Sequence, residues 1–291
     1  MKRRHALTAW LFLTPFLLVA LFFLVGPLGY ALYLSTQTDT LVGGVEFVGI
    51  TNYKDTLTDP VFLEGVKRVI VFGVIQIPIM LSLSTAGALV LDVINSRLAR
   101  TFRLIAFMPY AVPGVVAALM WGFLYSKSFG PFVGILEFIG FDNFNFFVPS
   151  VFIYSMSNVI TWAWTGYNMI IIYSALQGLP REMYESAIVD GANQIQTAIR
   201  VKIPAVKNAI LLTSIFAIIG TMQIFTEPKV LTRYTNAVSN GYTPNIYSFN
   251  LAFVQSQFNY SAAVSFTLAI IVFIITAVVL IVTRRRAAST K

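Results

Sequence analysis

Six long stretches without a charged side chain dominate the hydrophobic pattern of this chain. They centre on Leu7–Leu34, Val69–Leu91, Leu104–Ser126, Ser150–Tyr173, Asn208–Thr226 and Ala262–Thr283. A hydrocarbon core about 30 Å thick takes roughly 20 helical residues to cross, so each stretch is long enough. Strands of a membrane barrel would instead run for about ten residues with strict alternation. The pattern predicts an all-α integral membrane protein with six transmembrane helices. Pro15, Pro27, Pro78, Pro109 and Pro113 fall within or at the ends of the stretches. Membrane helices tolerate such kinks where neighbours satisfy the freed carbonyls.

Composition agrees. Hydrophobic residues make up 57% of the 291 and charged residues 11%, with a mean hydropathy of +0.77. Soluble domains are nearer half apolar and a quarter charged. The chain has no cysteine, which excludes disulfide and thiolate chemistry. Its net charge of +8 is no nucleic-acid footprint, because the basic residues sit at the ends of apolar runs without interleaved aromatics. They read as topology signals. The start, MKRRHALTAWLFL, has the form of a signal peptide. The apolar run continues to Leu34, however, so an uncleaved first helix is expected. With the N-terminus in the cytoplasm, inner segments hold 14 basic and 4 acidic residues, net +10. Outer segments hold 6 basic and 8 acidic residues, net −2. This asymmetry predicts a cytoplasmic N-terminus over 1–6, a membrane domain over 7–283 and a cytoplasmic basic tail over 284–291.

Two outer loops carry local signals. Asp59 before Pro60 is an N-cap and first-turn pair, which predicts a short helix leading into the second span. The longest outer loop, Glu227 to Ser261, is expected to be ordered by Tyr242, Tyr247, Phe249 and Phe253.

Candidate chemistry is sparse. The chain shows no GxxxxGK[ST] phosphate loop, no His/Cys/carboxylate cluster and no nucleophile machinery, and its one histidine is His5. Nothing here is suited to nucleotide hydrolysis or enzymatic turnover. The six stretches lack an internal ionisable group of the kind ion-coupled carriers use. Unwound carbonyls can bind sodium, so an ion-coupled secondary transporter of a small neutral solute stays as the alternative. Neutral polar groups are present instead. The fourth stretch carries Ser157, Asn158, Thr161, Trp162, Trp164, Thr165, Tyr167 and Asn168. The fifth ends with Thr221, Gln223 and Thr226, and the second holds Gln76. Amides hydrogen-bond hydroxyls and aromatic rings stack on sugar faces. Asn158, Thr161, Trp162, Tyr167, Asn168, Thr221 and Gln223 are therefore the candidate pathway for a neutral, hydroxyl-rich solute. The competing reading is interhelical hydrogen bonding with an aromatic belt.

One polar segment remains, YESAIVDGANQIQTAIRVKIP at Tyr184–Pro204, within a cytoplasmic loop over 177–205. Pro180, Glu182 and Glu185 suit a helix start. That helix should run to Asp190 and break at Gly191. A second helix should carry Ile195, Ile199 and Ile203 before Pro204 stops it. Small residues Ser186, Ala187, Gly191 and Ala192 allow another surface to come close.

This segment resembles the cytoplasmic "EAA" loop of permease subunits in binding-protein-dependent ABC importers. Glu185, Ala187, Asp190, Gly191, Ala192 and Pro204 stand at the matching positions. Ser186 replaces an alanine, Val201 and Ile203 stand for the Ile and Leu, and Ala198 occupies a place where Phe is common. Asn208 stands where Pro is frequent. Gly49, Asn52, Tyr53, Asp59, Pro60 and Phe62 look like the entry of the carbohydrate-uptake branch, the maltose and glycerol-phosphate type. Arg103 with Pro109 and the run Ala175–Pro180 are similar to that branch as well. The resemblance implies a multi-pass subunit of a bacterial-type cytoplasmic membrane that transports a sugar or sugar-like solute by alternating access. It implies a second permease, two copies of a cytoplasmic ATPase and an extracytoplasmic solute-binding protein as partners in the bilayer, with no nucleic acid. ATP and Mg would belong to the ATPase, and this chain would hold no cofactor or metal. ATPase coupling would fall to Glu182, Tyr184, Glu185, Ser186, Ala187, Asp190, Gly191, Ala192 and Pro204.

Overall fold

A backbone in hydrocarbon has to satisfy its own polar groups, and a helix does so within one segment. The computed structural model describes residues 2–40, 44–94, 96–180 and 182–288. Arg181 and the last tail residues, 289–291, lie outside them. The first helices, α1 (Lys2–Ala20) and α2 (Gly26–Ser35), are joined by a π-helical turn, Leu21–Val25. Strands β1 (Gln37–Thr40) and β2 (Gly44–Phe47) follow, then α3 (Thr51–Thr58) and α4 (Pro60–Val93). Next come α5 (Ser96–Ala111), α6 (Gly114–Leu124), α7 (Pro131–Phe138) and α8 (Pro149–Gln177). The polar segment forms α9 (Glu182–Val189), α10 (Gln194–Thr197), a π-helical turn Ala198–Lys202 and α11 (Ile203–Ala205). The chain ends with α12 (Lys207–Met222), α13 (Thr226–Leu231), α14 (Pro244–Phe253) and α15 (Phe258–Ala288).

Among the described residues, four helical segments are long and apolar enough to cross a membrane: Trp10–Ser35, Pro60–Val93, Lys207–Leu231 and Phe258–Thr283. The third stretch, Leu104–Ser126, is not one straight helix. It is bent by 95° between Ala111 and Gly114, and it makes a fifth span if the two arms count as one. Pro113 adopts φ −54° and ψ 135°, off the helical region. The proline ring also pushes Val112 away from helical geometry. Helix α8 has 29 residues, but its serines, threonines and asparagines dilute its apolar content. The fold is thus mostly helical but not purely so. β1 and β2 pair antiparallel, with Gln37 opposite Phe47 and Thr40 opposite Gly44.

The chain divides into two units. The first comprises Met1–Gly65 and Pro244–Ile271. No separate helix follows Asp59–Pro60 here. The Asp59 Oδ1 caps the Val61 amide at 2.8 Å, and α4 then runs for 34 residues without a break, carrying Pro78 inside it. The short helix lies before this pair, as α3, where Asn52 Nδ2 donates to Ser35 O at 3.0 Å and Gln37 O at 2.7 Å. Asp59 Oδ2 also accepts from the Tyr247 hydroxyl at 2.6 Å and the Tyr260 hydroxyl at 3.0 Å. Burial raises the Asp59 pKa, but the bonds from Tyr247, Val61, Tyr260 and Phe62 together outweigh it and hold it below 3.8.

The second unit comprises Val66–Thr243 and Val272–Lys291. Its buried cluster takes Ala88 and Leu91 from α4, Ala99 from α5, Met169, Ile172 and Leu176 from α8, and Val206. A second cluster joins Trp121, Tyr125 and Val159, with Phe132, Phe146 and Trp162 against it. The crossing of α5 and α8 is backbone on backbone. A Cβ on Gly166 would stand 1.7 Å from the Ala106 carbonyl oxygen.

Two outcomes follow. Gly166→Ala should force α5 and α8 apart and lower stability by about 1–3 kcal/mol or more, as overpacking does. Gly134→Ala, where nothing lies within 4 Å of the new methyl group, should not. Thermal unfolding in detergent compares the two. The depressed Asp59 pKa stabilises the fold above pH 3.8, and this contribution is lost as pH falls through the folded value. The melting-temperature gap between wild type and Asp59→Asn should therefore be present at neutral pH and close in acid.

Candidate functional site

Helical periodicity puts Ile160, Trp164, Tyr167 and Asn168 on one stripe of α8, and this stripe forms one wall of a cavity of about 210 Å³. Gln76 and Met80 of α4 line a second wall. Much of the rest of the lining comes from Phe216, Gly220 and Thr221 of α12, with Gln223, Phe225, Thr226 and Glu227 after it. Gln76 is 1% exposed, donates to Met80 Sδ at 3.3 Å and accepts from Thr221 Oγ1 at 3.4 Å. Asn168 Nδ2 donates to the Trp164 carbonyl at 2.9 Å. Tyr110 backs the aromatic wall, stacking on Tyr167 at 4.6 Å and meeting the edge of Trp164 at 5.2 Å. The surface is made of amides, hydroxyls and ring faces. Glu227 is the one formally charged side chain in the lining. It sits against the bend, with Oε1 3.2 Å from where a Cβ on Gly114 would stand.

Of the residues proposed from sequence for the pathway, Tyr167, Asn168, Thr221 and Gln223 meet in this cavity. Asn158, Thr161 and Trp162 do not. Asn158 Nδ2 donates to the Tyr125 hydroxyl at 2.8 Å, and Trp162 lies edge-on to Trp121 at 5.7 Å. Thr161 is buried elsewhere on α8, its carbonyl accepting from Thr165 Oγ1 at 2.6 Å. The i, i+4, i+8 spacing of Ile160, Trp164 and Asn168 separates the two faces and marks Trp164 as a lining residue. Glu227 escaped notice because it was assigned to an outer loop.

The polar segment is held rigid by its own backbone chemistry. Gly191 adopts φ +84°. There the Gly191 amide bonds Ile188 O and the Ala192 amide bonds Ala187 O, both at 3.0 Å. This is the Schellman closure that favours glycine. Asn193 then starts α10 with a reciprocal capping box, its side chain and that of Gln196 each taking the other's amide at 2.9 Å. Pro204 does not end this helix. The chain stays helical to Ala205, because the preceding π turn shifts the ladder so that Ile203 N–H bonds Ala198 O. Glu182, Glu185, Ser186, Asp190, Gly191 and Pro204 are exposed, while Tyr184, Ala187 and Ala192 are half-buried. Ile188, Val189, Ile195 and Ile199 are 60–86% exposed, a large apolar area for one loop.

A cleft of about 1070 Å³ runs beneath it, lined in part by Asp92, Gln177, Tyr184 and Lys202. Lys202 Nζ pairs with Asp92 Oδ2 at 2.5 Å, and Gln177 Nε2 donates to Asp92 Oδ1 at 2.8 Å. The Lys202 ammonium also lies 4.8 Å from the Tyr184 ring centroid. Burial, with the Asp92 charge, raises the Tyr184 hydroxyl pKa. Asp92, Gln177 and Lys202 are absent from the sequence-derived site, since nothing in their spacing announces an interaction.

Residues 79–288 match the family described as binding-protein-dependent transport system inner membrane component. The chain is 31% identical over 283 residues to the lactose transport system permease protein LacF of Rhizobium radiobacter, covering 94% of this chain and 93% of that protein. It is 27% identical over 283 residues to the diacetylchitobiose uptake system permease protein NgcF of Streptomyces coelicolor, covering 93% and 80%. A crystal structure of a bacterial ABC transporter that imports the acidic polysaccharide alginate contains a chain of the same fold. The TM-score is 0.84 at 20% identity, covering 98% of this chain and 96% of that one. The chain thus belongs to the inner-membrane components of binding-protein-dependent transport systems, as a transport permease rather than an enzyme, among relatives named for sugar uptake.

Proposed function

We propose that this permease forms, with a second permease subunit, the path of a neutral sugar or oligosaccharide into the cell. Two copies of a cytoplasmic ATPase drive it with ATP and Mg, and an extracytoplasmic binding protein delivers the solute. In this reading α8 and the bent α5–α6 pair are spans too, giving six, with both termini and the α9–α11 loop in the cytoplasm. The observation that carries the reading is that loop: a doubly capped helical element with four exposed aliphatic side chains. Helix α9 would dock on the ATPase through Glu185 and the small residues beside it, and move as a lever. ATP-driven closure would then switch the spans between inward and outward access. The cavity supports the solute class. Trp164 and Tyr167 offer stacking faces, Gln76, Asn168 and Thr221 offer hydroxyl partners, and Glu227 disfavours an anion. At about 210 Å³, it is smaller than the roughly 300–1,000 Å³ of most ligand sites, so another wall would come from the second permease. An ion-coupled carrier is not favoured by these relatives.

Two sets of variants test this with the tagged permease complex in proteoliposomes. The sugar is the one that a thermal-shift screen assigns to the binding protein. Glu185→Lys with Gly191→Pro should abolish both ATPase co-purification and uptake. Trp164→Ala or Tyr167→Ala should lower uptake by about tenfold, matching a stacking contact of 1–3 kcal/mol, with the ATPase still bound. Uptake that survives the loop changes, or ignores the cavity changes, rejects the corresponding half of the reading.

A further inference from the structure

Helices α4 and α8 each connect the cavity to one carboxylate. On α4, Gln76 lines the cavity and Asp92 follows sixteen residues later, about 24 Å along a helix. On α8, Asn168 lines the cavity and Gln177 follows nine residues later, about 14 Å along. Both rods converge at Asp92, whose Oδ1 accepts from Gln177. Its other oxygen is held by Lys202, from the π turn of the polar loop. Lys202 in turn lies over Tyr184 of α9, whose hydroxyl donates to Leu176 O at the end of α8 at 3.2 Å. Four elements are therefore tied through one ion pair, with α11 and α12 just beyond it in sequence.

Two features set this pair apart from a surface contact. Its side chains are 12% exposed at Lys202 and 9% at Asp92, so solvent screens it weakly. The loop around it presents most of its other side chains outward. A π turn also supplies the lysine, and such irregular turns recur where a helix is shaped for a task.

We infer that the Asp92–Lys202 pair is the joint through which movement of the loop reaches α4 and α8. Lys202 is the loop's grip, and Asp92 is a positioning residue for transport. This rests on the reading of α9 as the ATPase-docking lever. A static staple would hold the fold together, and its loss would lower assembly and hydrolysis together. A joint, once cut, lets the ATPase cycle while the cavity fails to follow.

The test uses the whole complex with its binding protein and sugar in proteoliposomes, reading ATP hydrolysis and sugar uptake side by side. Asp92→Asn and Lys202→Met should leave hydrolysis close to wild type and lower sugar taken up per ATP by about tenfold, a typical coupling loss. Exchanging the charges, Asp92→Lys with Lys202→Asp, should recover part of that ratio, since the Gln177 amide can turn to accept from the relocated lysine. Lys202→Arg serves as the assembled, charge-retaining control and should stay coupled. An unchanged ratio in both single variants overturns the inference. So does a parallel fall of hydrolysis, uptake and melting temperature, or an exchange no better than the singles. If the wild-type chain brings down no ATPase, the importer reading fails instead, and that result is separate from any ratio.

Discussion

The second unit depends on the contact between the Gly166 backbone of α8 and the Ala106 carbonyl of α5. No side chain separates the two helices there, and in lipid such close approach is what lets dispersion hold helices together. It lays Tyr110 against Tyr167 and Trp164. It also brings Ala99 into the cluster with Met169, Ile172 and Leu176. The aromatic wall of the cavity is therefore a product of one missing methyl group. A larger residue at that position would shift the ring stack as well as the crossing.

The division of labour between cavity and loop follows from where charge can exist. The apolar stretches carry no Asp, Glu, Lys, Arg or His in their interior, as the hydrocarbon favours. Recognition at depth then falls to neutral groups, and Gln76, Asn168 and Thr221 spend part of their bonding on one another, on backbone or on sulfur. This keeps their geometry fixed. Glu227 is tolerated because the bend at Pro113 opens a place for it beside Gly114, at the edge of α13.

Much of the loop was legible because its signals are local. The break at Gly191 acts within six residues, and the structure shows its closure formed, whereas the Asn193–Gln196 box beside it was not among the sequence expectations. The long apolar helices were visible for the same reason. The rest depends on the neighbour chosen. Asn158 and Trp162 have the same chemistry as Tyr167 and Asn168, yet they face Tyr125 and Trp121. Only the rotation of α8 against α5 decides this, and composition carries no trace of it. Pro204 misled because the π turn before it carries the helical backbone past the proline to Ala205. The opposite held at Pro113, tolerated as a kink in the sequence reading but in fact a 95° bend. The β1–β2 hairpin is four residues a side with little apolar alternation, below what periodicity detects.

A transporter of this kind has to grip apolar rods from their ends. α4 is free of charge from Val69 to Leu91, and α8 from Pro149 to Gln177, so electrostatic purchase begins at Asp92. Hydrophobic contact alone is non-directional and would let a docking helix slide on them. A short, largely buried ion pair is directional, and when one partner leaves, the other is stranded. That asymmetry makes Asp92–Lys202 suitable for passing force in both senses, pulling as well as pushing. The exposed isoleucines of the loop have no such directionality. They are suited to adhesion to a partner surface, and the charge pair behind them to transmission.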